Sequence, residues 1–152
     1  MKKNILFLII LSIMLQLGCT DEKSIDMKDK ENSLESIEVT GDDKEIINRS
    51  ENIADNVVEL FGIDDATAIV FNDDVVVGII LSYDRELSPD IIDTIGNLIR
   101  ENDSDINQVY ITSDSKLFKQ IDNMVVDILR GKPYDDYVAN INKIIDKIKK
   151  EK

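Results

Sequence analysis

The chain has no histidine, no tryptophan, one cysteine and two prolines in 152 residues. Each shortage closes a route. Without histidine, the commonest general base and the commonest zinc ligand are missing together. A single cysteine allows no internal disulfide framework. No tryptophan and an aromatic content of 5% argue against a carbohydrate-stacking groove. Positive charge is also scarce: 18 Lys and Arg against 31 Asp and Glu give a formal net charge of −13. Nonspecific nucleic-acid binding needs a positive footprint, so no nucleic-acid partner is expected. Adhesion to anionic lipid by overall charge is disfavoured for the same reason.

Catalytic patterns are equally thin. Ser88 and Ser115 have no histidine to activate them, and no Gly-x-Ser-x-Gly occurs. Gly62, Gly78 and Gly96 stand apart, so no glycine loop cradles a phosphate. The doublets Asp64-Asp65, Asp73-Asp74 and Asp135-Asp136 are the conceivable metal or acid/base groups. They read better as a helix-to-strand loop, a hairpin turn and a helix cap, and none has calcium-loop spacing. A glycosidase needs two particular carboxylates, and among 31 acids the sequence singles out no pair. The expectation is a chain that is not an enzyme, with no cofactor and no metal.

What is present begins at the N-terminus. Lys2 and Lys3 precede the apolar run Ile5 to Leu11, which continues with breaks to Leu17. Gly18-Cys19 follows, and Thr20-Asp21-Glu22-Lys23 turns abruptly polar. This is a signal-peptide layout over residues 1–18. The apolar segment is shorter than the roughly 20 residues of a spanning helix. The one cysteine stands where a lipoprotein signal peptidase would leave it as the first residue. Gln16 occupies the place where such cleavage boxes usually carry an aliphatic residue. The expectation is a diacylglycerol on Cys19, holding the protein to the extracytoplasmic face of the cell membrane. Loss of the leader with its two lysines would leave 16 basic against 31 acidic residues, a net charge of −15.

Residues 20–44 contain nine acidic and four basic side chains, with apolar residues only as singletons. Together with Cys19 they read as an acidic, flexible tether over 19–44. Residues 45–152 read as one α+β domain. Ile46, Ile47, Ser50, Ile53, Ala54, Val57, Val58 and Phe61 fall at helical spacing, and Gly62 stops the helix. Ala66–Phe71 and Val75–Leu81 are β-branched runs around the turn Asn72-Asp73-Asp74, which makes a hairpin. Ser88-Pro89-Asp90 starts a second helix, and Asp105–Thr112 forms a third strand. Ser113 or Asp114 caps a third helix that Gly131 and Pro133 end, and Asp135 or Asp136 begins a fourth.

The order is therefore α-β-β-α-β-α-α, a small two-layer domain whose three-stranded sheet carries helices on one face. The second and third strands, joined through a helix, are parallel or separated by another strand. Arg130-Gly131-Lys132-Pro133-Tyr134 is a compact basic and aromatic turn in an acidic chain. It reads either as a contact for an anionic polymer or partner, or as a helix end with dipole-favoured bases followed by a break. The last helix carries the stripe Ile141, Ile144, Ile145 and Ile148. That stripe either packs on the domain or meets a partner; packing is preferred, because a bare stripe is a liability.

Several phrases together resemble the sporulation lipoproteins of the YhcN/YlaJ family of endospore-forming bacteria. They are Ile53-Ala54-Asp55-Asn56-Val57 leading to Phe61-Gly62-Ile63-Asp64-Asp65-Ala66, then the strand Ile106-Asn107-Gln108-Val109-Tyr110-Ile111-Thr112, and Ile128-Leu129-Arg130-Gly131-Lys132-Pro133 before the final helix. The resemblance spans Ile46 to about Ile148, with the leader and Cys19. It implies a non-enzymatic lipoprotein of the spore inner membrane, supporting germination or outgrowth through protein or envelope-polymer binding. The alternative is a ring-forming or complex-assembly subunit of a spore envelope apparatus, hence a homo-oligomer.

Overall fold

A computed structural model of the chain describes residues 41–150. Helix α1 spans Gly41–Val58 and buries Ile47, Ser50, Ile53 and Val57, spaced by three and four residues. It starts four residues before the expected 45, with Asp42 and Asp43 in its first turn, where acids suit the positive end of the helix dipole. Gly62, at φ 94°, then redirects the chain into the sheet.

Strands β1 (Ile63–Phe71) and β2 (Asp74–Leu81) form the expected hairpin, pairing antiparallel from Phe71 opposite Asp74 to Ala66 opposite Ile79. The two-residue loop needs positive φ, and Asn72 supplies it at 54°. Helix α2 (Pro89–Asn102) opens with Ser88 as cap, its hydroxyl accepting from the Ile91 N–H at 3.4 Å, and Pro89 in the first turn. Strand β3 (Gln108–Thr112) lies beside β2 and parallel to it, so the sheet order is β1-β2-β3. Helix α3 (Ser115–Leu129) is capped by Asp114, whose carboxylate accepts from the Lys116 and Leu117 N–H groups at 2.8 and 2.9 Å. A 3-10 turn at Tyr134–Tyr137 precedes helix α4, Val138–Lys150, where a helix from Asp135 or Asp136 was expected.

The α+β class, the element order and the three-stranded sheet agree with the sequence reading. The expected one-sided, two-layer packing does not hold. Successive strand residues point to opposite faces, and here both faces are covered. Ala68, Val70, Val75, Val77 and Ile79 pack with Ile53, Val57, Ile95 and Ile99 of α1 and α2. Ile69 and Val76 pack with Leu117, Ile121, Met124 and Ile128 of α3 and with the isoleucines of α4. Val75, Val76 and Val77 are each 0% exposed. An unbroken β-branched run of that kind marks a strand buried on two sides.

Helix α1 belongs to both clusters: Ile47 joins the α3/α4 side, while Ile53 and Val57 join the α2 side. The helix therefore crosses the outer edge of β1, and Ser50 sits at the crossing. Completely buried, its hydroxyl donates to the Ile46 carbonyl at 2.7 Å and accepts from the Val70 N–H at 2.9 Å. The Tyr134 hydroxyl donates to the Val70 carbonyl at 2.9 Å. Both outward backbone groups of Val70 are thus satisfied by side chains, which closes the edge to another strand at that point. Gly78 faces α3; a Cβ there would stand 3.1 Å from the Phe118 Cα, so the close approach of helix to sheet uses the missing side chain.

Candidate functional site

The residues singled out from sequence fall into three groups. Cys19 lies outside the described residues. Ile141, Ile144, Ile145 and Ile148 lie in the core at 0–6% exposure, so the preferred reading, packing on the domain, holds and the partner-surface alternative is corrected. The reason is the second sheet face, which needs an apolar cover that α3 alone is too narrow to give. Tyr134 is buried as well, and burial, then Asp135 and Asp43, push its hydroxyl up to about 12. Arg130, Lys132 and Pro133 remain exposed from the basic turn. Lys132 is bound to Asp127 at 2.8 Å.

The acidic doublets stay apart. Asp64 and Asp65 open β1, Asp73 and Asp74 form the hairpin end, and Asp135 and Asp136 lie in the 3-10 turn. Among the described residues, no three Asp, Glu, Cys or His side chains come together as a metal site.

What the fold does bring together is charge. Residues 41–114 hold four basic and eighteen acidic side chains, while residues 115–150 hold eight basic and five acidic. The first set builds α1, α2 and the sheet; the second builds α3, α4 and their connection. The basic set thus covers one sheet face with α3 and α4, while the acidic set covers the other with α2 and crosses the edge of β1 with α1. On the acidic side, Arg49 of α1 grips Asp103 at the end of α2 through two bonds of 2.8 and 3.1 Å. The Arg49 hydrogen bond holds the Asp103 carboxyl below its ordinary range, and the same bond raises Arg49.

On the α3/α4 side a groove of about 340 Å³ runs between the two helices. Met124 and Ile144 lie beneath it, Gln120 and Asn123 line it from α3, and Asn140, Lys143 and Lys147 line it from α4. One end is closed by a small network. The Tyr137 hydroxyl donates to the Asp127 carboxylate at 2.8 Å, and Lys132 holds the same oxygen. Lys132, then Tyr137, lower Asp127; the bond to Asp127 raises Lys132. Burial first, and then Asp127, raise Tyr137. The signal for the groove was the amide-and-lysine spacing Asn140, Lys143, Lys147, which places all three on one helix face.

A second surface feature lies at the joint of α1 with β1 and β2 with α2. Phe61 is 90% and Tyr83 92% exposed, and the Arg85 guanidinium stands 4.5 Å from the Phe61 ring centre. Phe61 was expected on the apolar stripe of the first helix. Helix α1 ends at Val58, so Phe61 lies beyond its periodicity and faces water.

The described residues define a small α+β domain with a polar, lysine-lined groove between α3 and α4. The chain belongs to the sporulation lipoprotein YhcN/YlaJ family, whose model matches residues 24–149. Family membership implies association with a membrane through lipid; among the described residues no helix is long and apolar enough to cross one. No curated protein matches the sequence. A solved structure with a similar chain path is the type III secretion system protein EscJ of enteropathogenic E. coli. It is 21% identical over 72% of this chain and 70% of that one, with a TM-score of 0.42.

Proposed function

We propose that this protein is a lipid-anchored, non-enzymatic lipoprotein of the spore envelope, held at the spore inner membrane by a diacylglycerol on Cys19, where it supports germination or outgrowth by binding a protein or an envelope polymer. The observation that carries this reading is the family match, which begins at residue 24, directly after the polar boundary that follows Cys19. A thiol-linked diacylglycerol supports firm retention, since each buried CH2 contributes about 0.8 kcal/mol and two chains hold where one does not. The residues from Cys19 to the start of α1 at Gly41 then serve as the spacer between bilayer and domain.

The test compares native protein with Cys19→Ala during sporulation. Labelled palmitate enters the native protein, which fractionates with spore membranes, and the variant takes up no label and leaves them. Spores lacking the protein are expected to germinate or outgrow more slowly. Label on the Cys19→Ala chain, or unchanged germination and outgrowth, counts against the reading.

Complex assembly is the second reading, favoured by the outer edge of β3, which pairs with no strand among the described residues. The isoleucine stripe does not support it, being buried. Sedimentation of the purified chain at tens of micromolar decides: a clean monomer removes it.

A further inference from the structure

We propose that the groove between α3 and α4 binds a linear, hydroxyl-bearing polyanion, a deepening that rests on the envelope-polymer branch of the function proposed above. The net charge of the chain opposes such a ligand, but a ligand responds to the local field. Charges farther away than a Debye length of about 8 Å are largely screened at physiological ionic strength. The lining of the groove carries Lys143 and Lys147 against one carboxylate, Asp127, which Lys132 already pairs. Lys143 and Lys147 stand on its wall and pair with no carboxylate among the described residues.

The lining fits an anionic chain that also carries hydroxyls. Lys143 and Lys147 are one turn apart, about 6 Å along the helix, which lets them meet successive charges on an extended polymer. Gln120, Asn123 and Asn140 each offer a donor and an acceptor, the complement of hydroxyl groups between those charges. Asp127 is the one carboxylate in the lining. Lys132 and Tyr137 already engage it, so it opposes an incoming anion weakly. Tyr137 is the one aromatic in the lining, half-buried with its hydroxyl bound to Asp127, so stacking on a neutral sugar is a minor basis for binding. A bilayer surface is the poorer fit. Lipid headgroups meet a flat or apolar-rimmed face, whereas this site is concave and lined with amides.

The test uses the full lipidated chain in non-ionic detergent and fluorescently labelled poly(glycerol phosphate), with polyglutamate, neutral dextran and phosphatidylglycerol vesicles as separate arms. Poly(glycerol phosphate) is expected to bind, and dextran not. Lys143→Gln with Lys147→Gln weakens binding at least tenfold and flattens its dependence on salt by about one to two in log–log slope, as loss of two ionic contacts requires. Gln120→Ala with Asn123→Ala weakens it several-fold and leaves the salt slope unchanged, a split that general destabilisation would not produce. Arg100→Gln, an exposed change on α2, leaves binding as it was. Polyglutamate, which carries charge and no hydroxyls, is expected to bind more weakly; equal binding overturns the hydroxyl-bearing assignment. Equal binding to dextran, an unchanged lysine double variant, or vesicles captured through the same lysines in preference to the polymers overturns the proposal. Palmitate labelling at Cys19 is independent of all these arms, so failure here leaves the anchor reading standing.

Discussion

The two sides of the sheet are built alike inside and differently outside. Each has a closed apolar cluster, centred on Ile95 and Ile99 on the α2 side and on Ile121 and Ile128 on the α3 side. Their surfaces diverge. The α1/α2 side is strongly acidic and uses one of its few cations, Arg49, as an internal clamp on Asp103. The α3/α4 side carries most of the cations of the domain on exposed positions, and directs two of them into a groove. A net charge summed over a chain therefore says little about what one face can bind. The fold decides which charges a ligand meets together.

The largest effect that could break this comparison comes from the cores. Ile121→Ala and Ile95→Ala each remove a side chain with no exposed area, and each is expected to destabilise the domain by about 2–5 kcal/mol. Denaturant titration of both variants checks it. A large loss for one and a trivial loss for the other would mean that only one face is truly covered.

A smaller effect is expected at the crossing of α1. Ser50→Ala leaves the buried Val70 N–H without a partner, a loss of about 1–3 kcal/mol. Tyr134→Phe removes the bond to the Val70 carbonyl and costs about 1 kcal/mol. The two changes act on one residue of β1, so the double variant should depart from additivity. Strict additivity in thermal unfolding would show that the two bonds do not form one closure.

The smallest effect concerns acid. Asp103 is lowered in the folded state below the 3.8 of a free aspartate, so the unfolded chain binds protons there more readily. Its contribution to stability is complete above the ordinary carboxylate range and disappears as pH falls through the lowered value. Because the pair is partly solvated, Asp103→Asn should cost about 1 kcal/mol or less at neutral pH. It should also make the acid limb of the stability curve shallower. Unchanged acid unfolding in that variant would dissolve the clamp on the acidic side.

Much of the fold was legible in the sequence because its signals are local. The hairpin follows from β-branched runs about Asn72-Asp73, the start of α2 from Ser88-Pro89-Asp90, and the end of α3 from Gly131 and Pro133. The two-sided sheet was also written in Val75-Val76-Val77, an unalternating run that one-sided packing does not need. Phe61 misled, whereas for Ile141 the preferred reading, packing on the domain, holds. Both are apolar residues at helical spacing, and spacing alone does not report where a helix stops or which neighbour covers it. The groove was illegible for a related reason: Gln120 and Lys147 are far apart in sequence, and only the packing of α4 against α3 makes them neighbours.

The sequence by itself determined the element order, the caps and turns, the family, and the expectation that Cys19 carries lipid. These rest on contacts within a few residues or on a boundary along the chain. The tertiary structure decided the second layer of helices, the closure of β1 at Val70, the burial of the α4 stripe and the separation of basic from acidic surface. Each depends on residues remote in sequence being placed side by side, where burial and short-range electrostatics act on distance in space.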